Sequence, residues 1–207
     1  MTRMRIITRT LTVAALLAAT SCSSTVRSGN SPVFLVIDSL AGIRGASTPG
    51  SPSSLLFSDV ITNVTTGAGC TQASPCPTVF SDSGTATLEL AKKDVTSTAP
   101  TTNNQVTINR VHIHYRFADG TGVQGVTVPV DFDSFATATV PPTGSTTISF
   151  ELVRVQAKQS TPLVQLRNGG ALAVVADVTF IGRDQVGNDI SVMGSIQIEF
   201  SDWADPA

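Results

Sequence analysis

The chain has 207 residues, with 13 Lys and Arg against 15 Asp and Glu for a formal net charge of −2. Charged residues are only 14% of it, where about a quarter is usual for soluble globular proteins, and 22 Ser and 28 Thr supply the polarity instead. The 41% hydrophobic content excludes a disordered chain, the charge balance excludes a basic nucleic-acid binder, and no apolar run reaches the roughly 18 residues of a membrane span. Val and Thr suit pleated strands, while 16 Gly, 11 Pro and the serines suit turns, the makeup of an extracytoplasmic β protein.

At the start, Arg3, Arg5 and Arg9 form a positive region and residues 11–19 (LTVAALLAA) a short apolar one. This is the pattern of a secretory signal, spanning residues 1–21. It ends Ala19-Thr20-Ser21-Cys22, which resembles the lipobox of bacterial lipoproteins, with Ala19 where that pattern prefers Leu. The resemblance implies cleavage before Cys22, a lipid on Cys22, and a membrane-anchored life in the cell envelope, at an outer membrane or the cell surface. Ala19 and Ser21 also satisfy the rule for ordinary signal cleavage at the same bond. Removing residues 1–21 takes away three Arg and no acid, leaving 10 basic and 15 acidic residues and a net charge of −5. That acidity disfavours nucleic acid and anionic lipid as ligands.

Residues 22–31 form a polar tether, 32–203 a single β-sandwich domain and 204–207 a tail. Lipidation of Cys22 leaves two of the three cysteines, Cys70 and Cys76, in the turn-rich segment GAGCTQASPCP. A local disulfide there contributes about 2 kcal/mol by the chain-entropy model. The alternatives are two free thiols, or a zinc site that two cysteines alone do not complete.

Along the domain, VFLVI (33–37) predicts a buried strand and LLFSDVITNV (55–64) another after a loop. TATLELA (85–91) alternates at period two. In QVTINRVHIHYRF (105–117), Val106 and Ile108 hold one parity and Val111, Ile113, Tyr115 and Phe117 the other, so a β-bulge is expected near Asn109 and Arg110. ADGTG (118–122) predicts a hairpin turn. GVTVPVDF (125–132) and FATATV (135–140) predict short strands, the first at an edge because of Pro129. A second bulge is expected where Ile148, Phe150 and Leu152 give way to Val153, Val155 and Ala157. Thr161, Pro162 and Gly169-Gly170 bracket one short crossover helix. Residues 171–184 and 188–200 predict long strands joined by a turn, the second with one wet face.

Together these make an all-β sandwich of about eight or nine antiparallel strands. The closing hairpin, VTFIGRDQVGNDISVMGSIQIEF, resembles the last two strands of bacterial immunoglobulin-like domains, over about a tenth of the chain. The Cys…Trp…Cys core of antibody domains is absent, since Trp203 is the sole Trp and is expected to close one end of the sandwich.

Candidate chemistry is sparse. His112 and His114 are two apart on a strand, so they share a face that could present imidazoles to a metal. Arg110 and Arg116 share that face and repel a cation, which favours a row of basic residues paired with acids across the sheet. Asp131 and Asp133 could complete a metal site or act as paired carboxylates. Asp119, Asp184 and Asp189 lie in turns, where carboxylates usually bond their own backbone. No nucleophile elbow, phosphate loop or dinucleotide fingerprint is present. The expectation is a non-catalytic envelope protein that binds or scaffolds an envelope protein or glycan, without a cofactor. A metal-dependent or carbohydrate-binding module is the alternative, and a hydrolase comes third.

Overall fold

The structure, a computed structural model, describes residues 31–67, 69–94 and 102–203, so the signal segment and Cys22 lie outside the described residues. It is an all-β sandwich. Three long strands, β1 (Val33–Ile43), β5 (Asp82–Lys92) and β9 (Ser145–Val153), form one antiparallel sheet in the order β1-β5-β9. The second sheet runs β2 (Leu55–Asp59), β11 (Asp189–Ser201), β10 (Ala171–Asp184), β6 (Val106–Arg116) and β7 (Phe132–Ser134), with β8 (Ala138–Val140) also paired to β6. A separate ribbon of β3 (Thr62–Val64) and β4 (Cys76–Thr78) adjoins the Cys70–Cys76 disulfide, whose Cα atoms are 5.3 Å apart.

Alternation builds the core. Leu35, Ala86, Leu88, Ile148 and Phe150 from the first sheet meet Ile108, Ile113, Val178, Phe180 and Ile198 from the second, all buried. Both expected bulges exist. Asn109 is skipped where β6 pairs with β10, and Leu152 where β9 pairs with β5. The second bulge buries Leu152 and Val153 side by side, which turns the chain out of β9.

Several expectations need correction. The described residues hold eleven strands rather than eight or nine, and β2 runs parallel to β11. Residues 55–64 split into β2 and β3 because Asp59 bonds the following loop, accepting from Ile61 N–H and the Thr62 hydroxyl. Residues 125–131 form no strand. Gly122 and Gly125 take positive φ there, and the Gln124 side chain replaces a ladder pair, donating to Tyr115 O (2.9 Å) and accepting from Asp131 N–H (3.0 Å). The turn expected at residues 118–122 does form, with Phe117 N–H donating to Thr121 O and Gly120 N–H to Phe117 O, and a long loop then leads to β7. The short crossover helix forms where expected, as a 3-10 helix over Leu163–Asn168, and an unexpected one-turn helix α1 (Val155–Lys158) precedes it. Thr161 does not cap the 3-10 helix, since its hydroxyl donates to Gly125 O.

Phe150 stacks edge-on against Phe180 across the sandwich (centroids 5.5 Å apart) and lies over Gly84, where a Cβ would stand 2.4 Å from its ring. Moving the Phe150 ring aside disturbs its packing against Phe180. Gly84→Ala is therefore expected to cost about 1–3 kcal/mol, read as a lower urea midpoint at unchanged slope.

Candidate functional site

The bulge at Asn109 sets the site. It reverses the parity of β6 so that Val111, Ile113 and Tyr115 enter the core while Arg110, His112, His114 and Arg116 line the outer face. The neighbouring strand β7 and the residue before it then bring Asp133 and Asp131 alongside. His112 Nδ1–H donates to Asp133 Oδ1 (2.8 Å) and His114 Nδ1–H to Asp131 Oδ2 (2.7 Å). Asp133 also faces Arg110 at 3.6 Å, and Asp131 accepts the Tyr115 N–H. The side chains of His112 and His114 are 40% and 43% exposed.

Arg116 closes the row on a third carboxylate, which the sequence reading passed over. Its Nε and Nη2 clamp Asp177 of β10 at 2.6 and 3.1 Å, and the Ser195 hydroxyl of β11 adds a bond of 2.6 Å. Burial by itself would raise the Asp177 carboxyl. The bonds from Arg116 and Ser195, with the charges of Arg116 and His114, outweigh it and hold the carboxyl below its usual range. A lone acid inside the apolar run ALAVVADVTF was the available signal.

Four basic side chains thus meet three carboxylates. The three carboxylates offset the charges of Arg110 and Arg116, so the cation repulsion expected from those two arginines is cancelled. Each imidazole is committed through Nδ1 to its own carboxylate. Among the described residues, no three His, Cys, Asp or Glu side chains converge on a point that could hold a metal ion.

The loop aspartates stay apart and serve their turns. Asp184 accepts from Val186 N–H and from the backbone and side chain of Asn188. These bonds overcome burial and lower its carboxyl. Asp119 is lowered by the Thr121 hydroxyl and N–H, and Asp189 pairs with Arg183. Trp203 packs edge-on against Phe57 of β2 (5.2 Å).

A second polar cluster lies inside the protein, and nothing in the sequence reading pointed to it. Asp82, at the first position of β5, accepts from Gly45 N–H (2.8 Å) and the Ser58 hydroxyl (2.5 Å), and Lys158 of α1 stands 2.9 Å away. Tyr115 is fully buried nearby and donates to Leu152 O (2.6 Å). Burial and the charges of Asp82 and Glu151 push its hydroxyl well above the usual tyrosine range.

Compared with known proteins, the chain matches no family model, no curated protein and no solved structure.

The Asp177 carboxyl has a definite pH signature. Because its folded value is depressed, its stabilisation is complete above the unfolded value of about 3.9 and is lost as pH falls through the folded value. Asp177→Asn is expected to lower stability at neutral pH and to reduce the loss on acidification, measured by urea unfolding at a series of pH values.

Proposed function

We propose that this chain is a lipid-anchored, non-catalytic protein of the cell envelope, whose immunoglobulin-like sandwich binds or scaffolds another envelope component, a protein or a glycan. The observation that carries this reading is where apolar side chains are exposed. Eight large ones are exposed among the described residues, and four of them, Val123, Val126, Val130 and Phe135, fall within residues 123–135. That same segment carries Asp131 and Asp133 to the histidine row. Phe135 is 88% exposed.

Apolar contacts beside a balanced polar row have the composition of a recognition surface. A cleft of about 220 Å³ adjoins it, lined among others by Val130, Asp131, Arg154 and Thr161. Each imidazole is held in a fixed orientation by its own carboxylate, which gives the polar row a set geometry. The net charge of −5 after residue 21 argues against a nucleic-acid partner. The lipid anchor rests on the arginine-rich start, the short apolar stretch and the ATSC end.

Two measurements test this reading. Mass spectrometry of the mature protein from its native host is expected to find an acylated Cys22 at the N-terminus. An intact Met1 or an unmodified Cys22 would remove the anchor. A photo-crosslinking residue at Phe135 is expected to trap one envelope component in cells, whereas the same residue at Val186, also exposed but at the β10–β11 turn, traps none. Equal labelling from both positions would count against a docking face at residues 123–135.

A further inference from the structure

Asp82 and Lys158 meet where both side chains are 0% exposed, with Nζ 2.9 Å from Oδ2. A buried ammonium normally distributes its three N–H groups over several acceptors. Lys158 Nζ makes no directed hydrogen bond among the described groups. Its carboxylate partner is held firmly: Gly45 N–H binds Oδ1 and the Ser58 hydroxyl binds Oδ2. The approach of Gly45 is itself specific, because a Cβ there would fall 1.9 Å from Ser81 O. An amine is thus pressed against an oriented carboxyl group where both side chains are fully buried.

We propose that Lys158 and Asp82 condense into an amide that covalently joins β5 to α1. One proton passes from Nζ to Oδ2, and the neutral amine attacks Cγ. Gly45 N–H receives the negative charge that develops on Oδ1, as an oxyanion donor does. A second proton passes directly from the nitrogen to Oδ2, which the Ser58 hydroxyl holds in place. The Cγ–Oδ2 bond breaks and Oδ2 departs as water. The third proton stays on the amide nitrogen, so no external reactant is consumed. Fixed proximity supplies what a dilute amine and acid lack in water. The product also replaces two buried charges with a neutral group, which a low-dielectric interior favours.

The amide requires no particular anchor or partner, so its test is independent of the function proposed above. The purified full chain is reduced and digested with trypsin. The expected product is a branched peptide in which residues 45–92 are joined through Asp82 to residues 155–167, lighter by one water than the two linear peptides together and uncut after Lys158. Linear peptides cut at Lys158, from protein shown to be folded, would overturn the proposal. Because Lys158→Met alone strands a buried carboxylate, the comparison protein is the double variant Lys158→Met with Asp82→Leu. Under reducing denaturing electrophoresis the wild type is expected to migrate faster than this variant, and identical migration would overturn the covalent link. Ser58→Ala is expected to lower the fraction of branched chains. An unchanged fraction would overturn the positioning role assigned to Ser58.

Discussion

The architecture depends on one buried carboxylate. Asp82 sits where the loop after β1, the strand β2, the start of β5 and the helix α1 converge, accepting hydrogen bonds from Gly45 and Ser58 and forming an ion pair with Lys158. Ser58 belongs to the six-stranded sheet and Asp82 to the three-stranded one, so the cluster clips the two layers together at one end. A group of this kind is costly to bury and strongly destabilising to leave unpaired. The surrounding chain is shaped accordingly. The β9 bulge at Leu152 and Val153 swings the backbone into α1, which carries Lys158 inward, and Tyr115 secures the same bulge through Leu152 O.

Elsewhere the sandwich is closed by close packing. The middle of β1 crosses β11 at Gly194, where a Cβ would lie 2.8 Å from Ile37 and 3.3 Å from Leu40. The parallel pairing of β2 with β11 extends the larger sheet at its other end and brings Phe57 to Trp203. Gly42 and Gly84 serve similar close approaches inside the smaller sheet, against Leu56 and Phe150. Small residues at these crossings let the two sheets meet without voids.

The outer face shows how charge is managed once strands are side by side. Read along one strand, Arg110, His112, His114 and Arg116 form a positive stripe. Read across the sheet, each has a carboxylate from β7, its preceding residue or β10. Cross-strand pairing therefore turns a cation-repelling row into a nearly balanced surface. The apolar residues of the 123–135 segment stand beside that surface because Gln124 ties their loop back onto Tyr115 and Asp131.

Period-two alternation in residues 85–91 and 188–200 and the long apolar run at 171–184 were enough to specify an all-β chain, and the parity change within residues 105–117 placed a bulge near Asn109 and Arg110. The six-residue spacing of Cys70 and Cys76 marked a local bridge. The alternating Arg110, His112, His114 and Arg116, with Asp131 and Asp133 two apart on a later segment, already held all of the polar row but Asp177. These features are local, so neighbouring residues suffice to express them. Tertiary structure alone decided the parallel course of β2, the loss of strand at 125–131, the turn of residues 155–158 into a helix, and the pairing of Asp177 with Arg116. It also decided the Asp82–Lys158 contact. Each of these depends on groups distant in sequence: a side-chain amide replacing ladder bonds, a bulge redirecting a strand, or a carboxylate whose partners come from opposite sheets. Local periodicity contains no trace of such partners, because the energy that selects them appears only when the two layers close.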